Sequence, residues 1–123
     1  MDLKQKIKSI ILAPPEIGND RMIGVELEDF IYDKNSRRIP VNPGSEYSAS
    51  DLIKNLIDLQ VNDKYKAYYS IEPGGQIEWA STPRRSLHDV QVELNNHQKR
   101  LKTVLTTHQL EIIDALTHIS HDR

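Results

Sequence analysis

The chain has no cysteine among its 123 residues, which excludes a disulfide framework, a thiolate metal cage and a cysteine nucleophile. It has only one tryptophan and one phenylalanine, and its hydrophobic fraction of 37% lies below the roughly 45 to 50% of ordinary globular domains. A basic surplus is also missing, since 16 Lys and Arg stand against 18 Asp and Glu. Nucleic-acid-binding modules usually gather basic residues on one face, so we expect no nucleic-acid partner.

A long hydrophobic run is missing as well. The apolar stretch near the amino terminus ends at Pro14, so the sequence predicts neither a signal peptide nor a membrane span. We therefore expect a cytoplasmic protein without a membrane partner. The length and the even composition predict a single domain over residues 1–123.

Apolar residues recur at helical spacing in three segments. The first lies within the first dozen residues, and the second begins after Ser48 or Ser50, each of which is a suitable N-cap. The third is a long helix for which the sequence offers two starts. One is the Thr82-Pro83 pair, and the other is a capping box of Ser86 with Asp89 one turn later.

Residues 21–32, 64–71 and 76–79 alternate polar and apolar side chains with a period of two, which predicts β-strands. Turn-forming residues at 33–36 predict a hairpin into a short returning strand over residues 37–41. Helices and hairpins in this order predict an α+β fold that has an antiparallel sheet with helices on one face.

Two pairs of carboxylates stand on the predicted strands. Glu26 and Glu28 are two residues apart, so their side chains point to the same side of a strand, about 7 Å apart at the backbone. Glu72 and Glu78 belong to the next hairpin, together with Gln76. Like charges so placed repel one another unless a cation lies between them, and a hard cation such as Mg²⁺ suits oxygen ligands that come without His or Cys. A solvated acidic face is the alternative interpretation of either pair alone.

The turn between the second pair is Glu72-Pro73-Gly74-Gly75. Pro73 fixes one backbone angle, and the glycines allow a close approach of the backbone. Such turns also occur in hairpins without a function. Taken together, two acidic strand faces suit more than one divalent ion over a sheet, which is a geometry fit for phosphoryl transfer from a nucleotide.

The segment Gly24 to Glu28, and above all the nine residues from Ser70 to Glu78, resemble the amino-terminal part of glutamate-cysteine ligases of the plant and proteobacterial type. The resemblance covers about residues 21–105. It implies a fold like that of glutamine synthetase, in which a curved antiparallel sheet forms a funnel whose acidic inner face holds Mg²⁺, ATP and glutamate. It also implies the reaction, in which ATP phosphorylates the γ-carboxylate of glutamate. The cysteine amine then attacks the acyl phosphate to give γ-glutamylcysteine, the first step to glutathione.

The resemblance implies roles for the residues that stand at matching positions of the motifs. Glu26, Glu28, Glu72 and Glu78 are the implied Mg²⁺ ligands, and Gln76 is an implied metal ligand or substrate contact. Mg²⁺ is then the cofactor, and ATP, glutamate and cysteine are the small-molecule partners. The resemblance assigns no catalytic residue on this chain.

Three departures from the family pattern leave alternatives open. Leu27 stands where plant-type sequences usually have His, and Arg84 and Arg85 stand where those sequences are less basic. A related carboxylate-amine ligase with another substrate, or a non-catalytic binding module derived from the fold, therefore stays open. Family members are several times longer, so we expect residues 1–123 to be the amino-terminal part of a larger catalytic domain and to be inactive alone.

Overall fold

The computed structural model of the protein describes residues 7–12 and 22–113. The strands in these ranges are β1 (Ile7–Leu12), β2 (Ile23–Tyr32), β3 (Tyr68–Ile71), β4 (Ile77–Ala80) and β5 (Glu111–Ile113). The helices are α1 (Ala49–Leu59) and α2 (Leu87–Thr107). This is the α+β class that the sequence predicts. Neither α1 nor α2 has the length and apolar character that crossing a bilayer requires.

All neighbouring strands of the sheet are antiparallel, in the order β1-β2-β4-β3, and β5 pairs with the end of β2. β2 is the longest strand, with 10 residues, and it pairs with three of the other four. The register places Glu28 opposite Glu78, and Glu78 opposite Ser70 on the other side. Directly opposed residues of neighbouring strands point to the same side, so these three positions share one face of the sheet.

Both helices cover the opposite, apolar face of the sheet. A first buried cluster joins α1 and the second half of α2 to the sheet through Ile31, Ala49, Leu52, Leu56, Ile77, Leu101 and Val104. A second joins the first half of α2 to it through Val25, Leu27, Ala67, Trp79, Val90 and Leu94. The prediction of helices on one face is therefore confirmed, and the acidic face lies on the side away from them.

Helix α1 begins at a reciprocal capping box. The Ser48 hydroxyl accepts a hydrogen bond from the Asp51 backbone N–H at 3.1 Å, and the Asp51 carboxylate accepts one from the Ser48 backbone N–H at 3.0 Å. The two bonds satisfy donors that a helix start leaves without partners. The bond from the Ser48 backbone also lowers the pKa of Asp51. Of the two N-caps that the sequence offers, Ser48 is the one used.

Ser86 is the N-cap of helix α2, and its hydroxyl accepts a hydrogen bond from the Asp89 backbone N–H at 3.2 Å. The prediction of a start at Thr82-Pro83 is wrong. The backbone still runs beside β2 there, with Arg84 donating to the Ile23 carbonyl at 2.9 Å. Thr82 is held instead by Glu93 of α2, which accepts from its backbone N–H at 3.2 Å and from its hydroxyl at 2.8 Å.

Two other predictions from periodicity need correction. Residues 7–12 form β1 and pair with residues 23–27 of β2, so the first segment is not a helix there. Of the predicted strand over residues 64–71, only β3 is a regular strand. Just before β3, Ala67 bonds to the Gln60 side chain and not to a neighbouring strand. The Gln60 amide donates to the Ala67 carbonyl at 2.9 Å and accepts from the Ala67 backbone N–H at 3.1 Å.

Candidate metal centre

The first two acidic residues of the site are brought together by strand register. Glu28 of β2 and Glu78 of β4 are directly opposed in an antiparallel pair. The Cβ atoms of opposed residues lie about 4.5 to 5.5 Å apart, and two like charges in these positions destabilise a sheet. An acidic pair at the middle of the sheet therefore needs a compensating interaction.

The hairpin turn between β3 and β4 positions the third acidic residue. The Glu72 backbone N–H donates to the Gln76 carbonyl at 2.8 Å, and the Gly75 N–H donates to the Glu72 carbonyl at 2.8 Å. Gly75 has a φ of 89°, in the left-handed region that favours glycine. Pro73 suits the second position of such a turn, and a glycine after the turn closes a three-residue hairpin loop. The loop holds Glu72 at the end of β3.

We expect Gly75→Ala to lower the free energy of unfolding by about 1 kcal/mol, because a residue with a Cβ is strained at this backbone angle. Space is not the cause, since the new Cβ would meet a Val41 methyl group at an ordinary 3.4 Å. Urea denaturation followed by circular dichroism measures the change. Gly44→Ala is the matched control, because a Cβ at Gly44 has nothing within 4 Å. Equal losses in the two variants would contradict the role of the turn.

Glu28, Glu72 and Glu78 form a compact group, which we call the acidic triad. Each contributes a carboxylate oxygen, and these oxygens lie within 4.8 Å of one another. At 4.8 Å, two carboxylates repel by about 3 kcal/mol at an effective dielectric constant near 20. None of the three residues is exposed, so solvent screens this repulsion less than it would at the surface. A divalent cation among the oxygens would replace repulsion by attraction, and an oxygen-only donor set suits Mg²⁺.

Glu26 does not belong to the acidic triad. It lies on the same face of β2 as Glu28, but its partner on β4 is Ala80 and not an acidic residue. The next carboxylate along the strand is two residues away, which is about 7 Å at the backbone. Of the four metal ligands predicted from the sequence, the structure brings three together and leaves Glu26 beside them. Metal binding by any of them stays a prediction.

Gln76 lies on the same side of the chain as Glu78, two residues before it. Its side chain folds over the turn, because a Cβ built on Gly74 would lie 2.5 Å from the Gln76 Oε1 atom. This Oε1 atom is buried and accepts no hydrogen bond from the part of the chain that the structure describes. A buried acceptor without a partner costs about 1 to 3 kcal/mol. A cation or a donor group on a ligand would remove this cost, which fits the predicted role of Gln76.

The departures at Leu27 and Arg84 lie away from the triad. Leu27 is 2% exposed and packs on the helix-covered face of the sheet. The Arg84 guanidinium pairs with Glu93 at 3.1 Å and lies 4.0 Å from the centroid of the Tyr65 ring. Both residues thus have a structural explanation in the packing of α2 against the sheet.

Sequence reasoning missed one cation beside the site. Arg38 donates a hydrogen bond from Nη1 to the Gly74 carbonyl at 3.2 Å. Its guanidinium carbon also lies 4.4 Å from the centroid of the Phe30 ring. Arg38 and Gly74 are 36 positions apart, so no local pattern of residues could have shown this contact.

Fold and site together define an α+β protein whose antiparallel sheet carries a cluster of carboxylates of the kind that hard cations bind. A family model, glutamate-cysteine ligase family 2 (GCS2), matches residues 22–119. This match covers most of the chain, and the chain belongs to that family. Membership supports a carboxylate-amine ligase of the glutamate-cysteine ligase type. No curated protein and no solved structure matches the chain.

Proposed function

We propose that this chain is the amino-terminal portion of an ATP-dependent glutamate-cysteine ligase and that the acidic triad holds its Mg²⁺. One observation carries the proposal. Three carboxylates from β2, the β3–β4 turn and β4 converge within 4.8 Å in a chain of the glutamate-cysteine ligase family. Three carboxylate oxygens this close together form a donor set that suits a divalent hard cation.

The donor set of the triad fits the proposed ion. It offers carboxylate oxygens only, which hard cations prefer over nitrogen and sulfur ligands. The Gln76 Oε1 atom, which accepts no hydrogen bond from the described residues, adds an uncharged oxygen ligand two residues before Glu78. Glu28, Glu72 and Glu78 would hold the Mg²⁺, which would supply positive charge against the negative phosphates of ATP during phosphoryl transfer.

The chain's own residues have two tasks in this proposal. Glu28, Glu72 and Glu78 hold the metal, and Gln76 accepts a hydrogen bond from a substrate or provides a further ligand. In the proposed reaction the γ-carboxylate of glutamate takes the terminal phosphoryl group of ATP, and ADP leaves. The cysteine amine then forms the new carbon-nitrogen bond as phosphate leaves. No residue on this chain is assigned as proton acceptor for that amine.

The proposal keeps glutamate and cysteine as substrates. Two of the departures that left other substrates open, Leu27 and Arg84, are explained by packing and ion pairing away from the triad. A binding module without metal chemistry is also less favoured, because the converging carboxylates are the kind of ligand that a hard cation prefers. We further propose a cytoplasmic location, where ATP and both amino acids are at hand.

Titration calorimetry of the 123-residue chain tests the proposal. We expect binding of ATP in the presence of Mg²⁺, and loss of that binding when EDTA removes the metal. Equal binding with and without EDTA, or no binding at millimolar ATP and Mg²⁺, would overturn it. We also expect the chain alone to form no γ-glutamylcysteine from ATP, glutamate and cysteine, and product formation would overturn this part.

A further inference from the structure

The Arg38 side chain is held in place by two contacts with different parts of the sheet. Its Nη1 group donates to the Gly74 carbonyl at 3.2 Å, in the turn between β3 and β4. Its guanidinium also lies over the Phe30 ring of β2, 4.4 Å from the ring centroid. Stacking on an aromatic face and a hydrogen bond to a carbonyl leave an arginine charged and fixed in direction.

Both contacts place the guanidinium next to the acidic triad. Phe30 follows Glu28 by two residues on β2, and Gly74 follows Glu72 by two residues in the turn. Along β2, two residues of extended chain span about 7 Å. Phe30 and Glu28 also point to the same face of the sheet, because their positions differ by an even number. Arg38 therefore stands at the edge of the site and bridges the two elements that carry Glu28 and Glu72.

The binding capacity of Arg38 is not used up by these contacts. It takes part in none of the ion pairs formed among the described residues, which involve Arg84 and Arg100. A guanidinium has five N–H donors, and among the described residues one hydrogen bond from Arg38 is made. Arg38 is also exposed, so the remaining donors are accessible to a ligand that reaches the triad.

We propose that Arg38 binds an oxyanion of the substrate, a phosphate of ATP or a carboxylate of glutamate, beside the metal held by the triad. This inference rests on the proposed function. A site of three carboxylates attracts the metal but repels an anionic substrate, and a fixed guanidinium at its edge offsets that repulsion. Arginine suits this role because its planar fork of donors matches a carboxylate or a phosphate with two hydrogen bonds.

The test compares Arg38→Met with the wild-type chain in three calorimetric titrations: Mg²⁺ alone, ATP with Mg²⁺, and glutamate with Mg²⁺. Methionine keeps an unbranched side chain against Phe30 and removes the charge and the donors. We expect the affinity for at least one anion to fall by roughly 10- to 100-fold, since that is the effect of a charge-assisted hydrogen bond. A loss for ATP alone identifies the phosphate, and a loss for glutamate alone identifies the carboxylate.

The titration with Mg²⁺ alone distinguishes a role of Arg38 in substrate binding from a structural role. Removing a positive charge near the triad leaves Mg²⁺ binding unchanged or tighter, so weaker Mg²⁺ binding by Arg38→Met would overturn the inference. The neighbouring exposed Arg37 gives the matched control, and an equal loss in Arg37→Met would overturn it too. Unchanged anion binding in Arg38→Met overturns the inference and leaves the proposed function standing. A wild-type chain that binds neither Mg²⁺ nor the anions overturns both.

Discussion

Glu78→Gln is expected to weaken Mg²⁺ binding by about 100-fold or more. Glu78 is the central member of the triad, because it stands directly opposite Glu28 on β2. Losing a supporting residue around a metal already costs about 10- to 100-fold in affinity, and losing a ligand costs at least as much. Calorimetry with Mg²⁺ measures the loss of affinity.

Glu26→Gln is the matched control for Glu78→Gln. Glu26 lies on the same face of β2 but faces Ala80, outside the triad. We expect it to change Mg²⁺ affinity by only a few-fold, through the loss of a more distant negative charge. Equal losses of Mg²⁺ affinity in the two variants would show that the acidic face attracts cations diffusely and that the triad is not a site.

Trp79→Ala is expected to lower the free energy of unfolding by about 3 to 5 kcal/mol, the range for removing a large buried aromatic side chain. Trp79 is 1% exposed and belongs to the cluster that packs α2 on the sheet. Its ring stacks on His97 of α2, with the ring centroids 5.3 Å apart and an interplanar angle of 20°. The total stability of a domain is about 5 to 15 kcal/mol. A loss of this size therefore greatly lowers the urea concentration at which half of the protein is unfolded.

Trp79→Phe separates the ring from the indole N–H. The Trp79 Nε1 atom is buried and has no hydrogen-bond acceptor among the described residues. Phenylalanine removes this unsatisfied donor and keeps an aromatic ring against His97, at the cost of a small cavity. We therefore expect a loss clearly smaller than that of Trp79→Ala, about 1 kcal/mol. If Trp79→Phe is as damaging as Trp79→Ala, the indole N–H makes a bond that matters to the fold.

Periodicity in the sequence was enough to predict β2, α1, the hairpin around Gly74 and most of α2. It failed where a distant partner decides the local structure. Residues 7–12 are strand because they pair with β2, and β-branched isoleucine is common in both a strand and an amphipathic pattern. The helix α2 is capped by Ser86 and does not start at Thr82. Glu93, on α2 itself, accepts hydrogen bonds from Thr82 and holds it in the segment before the helix.

The site shows the same division between local and distant information. A period of two residues predicts that Glu26 and Glu28 share a face, whatever strand lies beside them. Which of them meets Glu78 depends on the β2–β4 register, and a shift of two residues would place Glu26 opposite Glu78 instead of Glu28. Register follows from burial of the apolar face and from the turns, so the structure was needed to select Glu28.

The central claim is that Glu28, Glu72 and Glu78 form one cation site. Anomalous diffraction from a crystal of this chain soaked in Mn²⁺, which takes the same oxygen ligands as Mg²⁺, tests it most directly. We expect a single strong anomalous peak among the three carboxylates, about 2 to 2.5 Å from their oxygens. No peak at millimolar Mn²⁺, or a peak at Glu26 with the triad left empty, would contradict the claim.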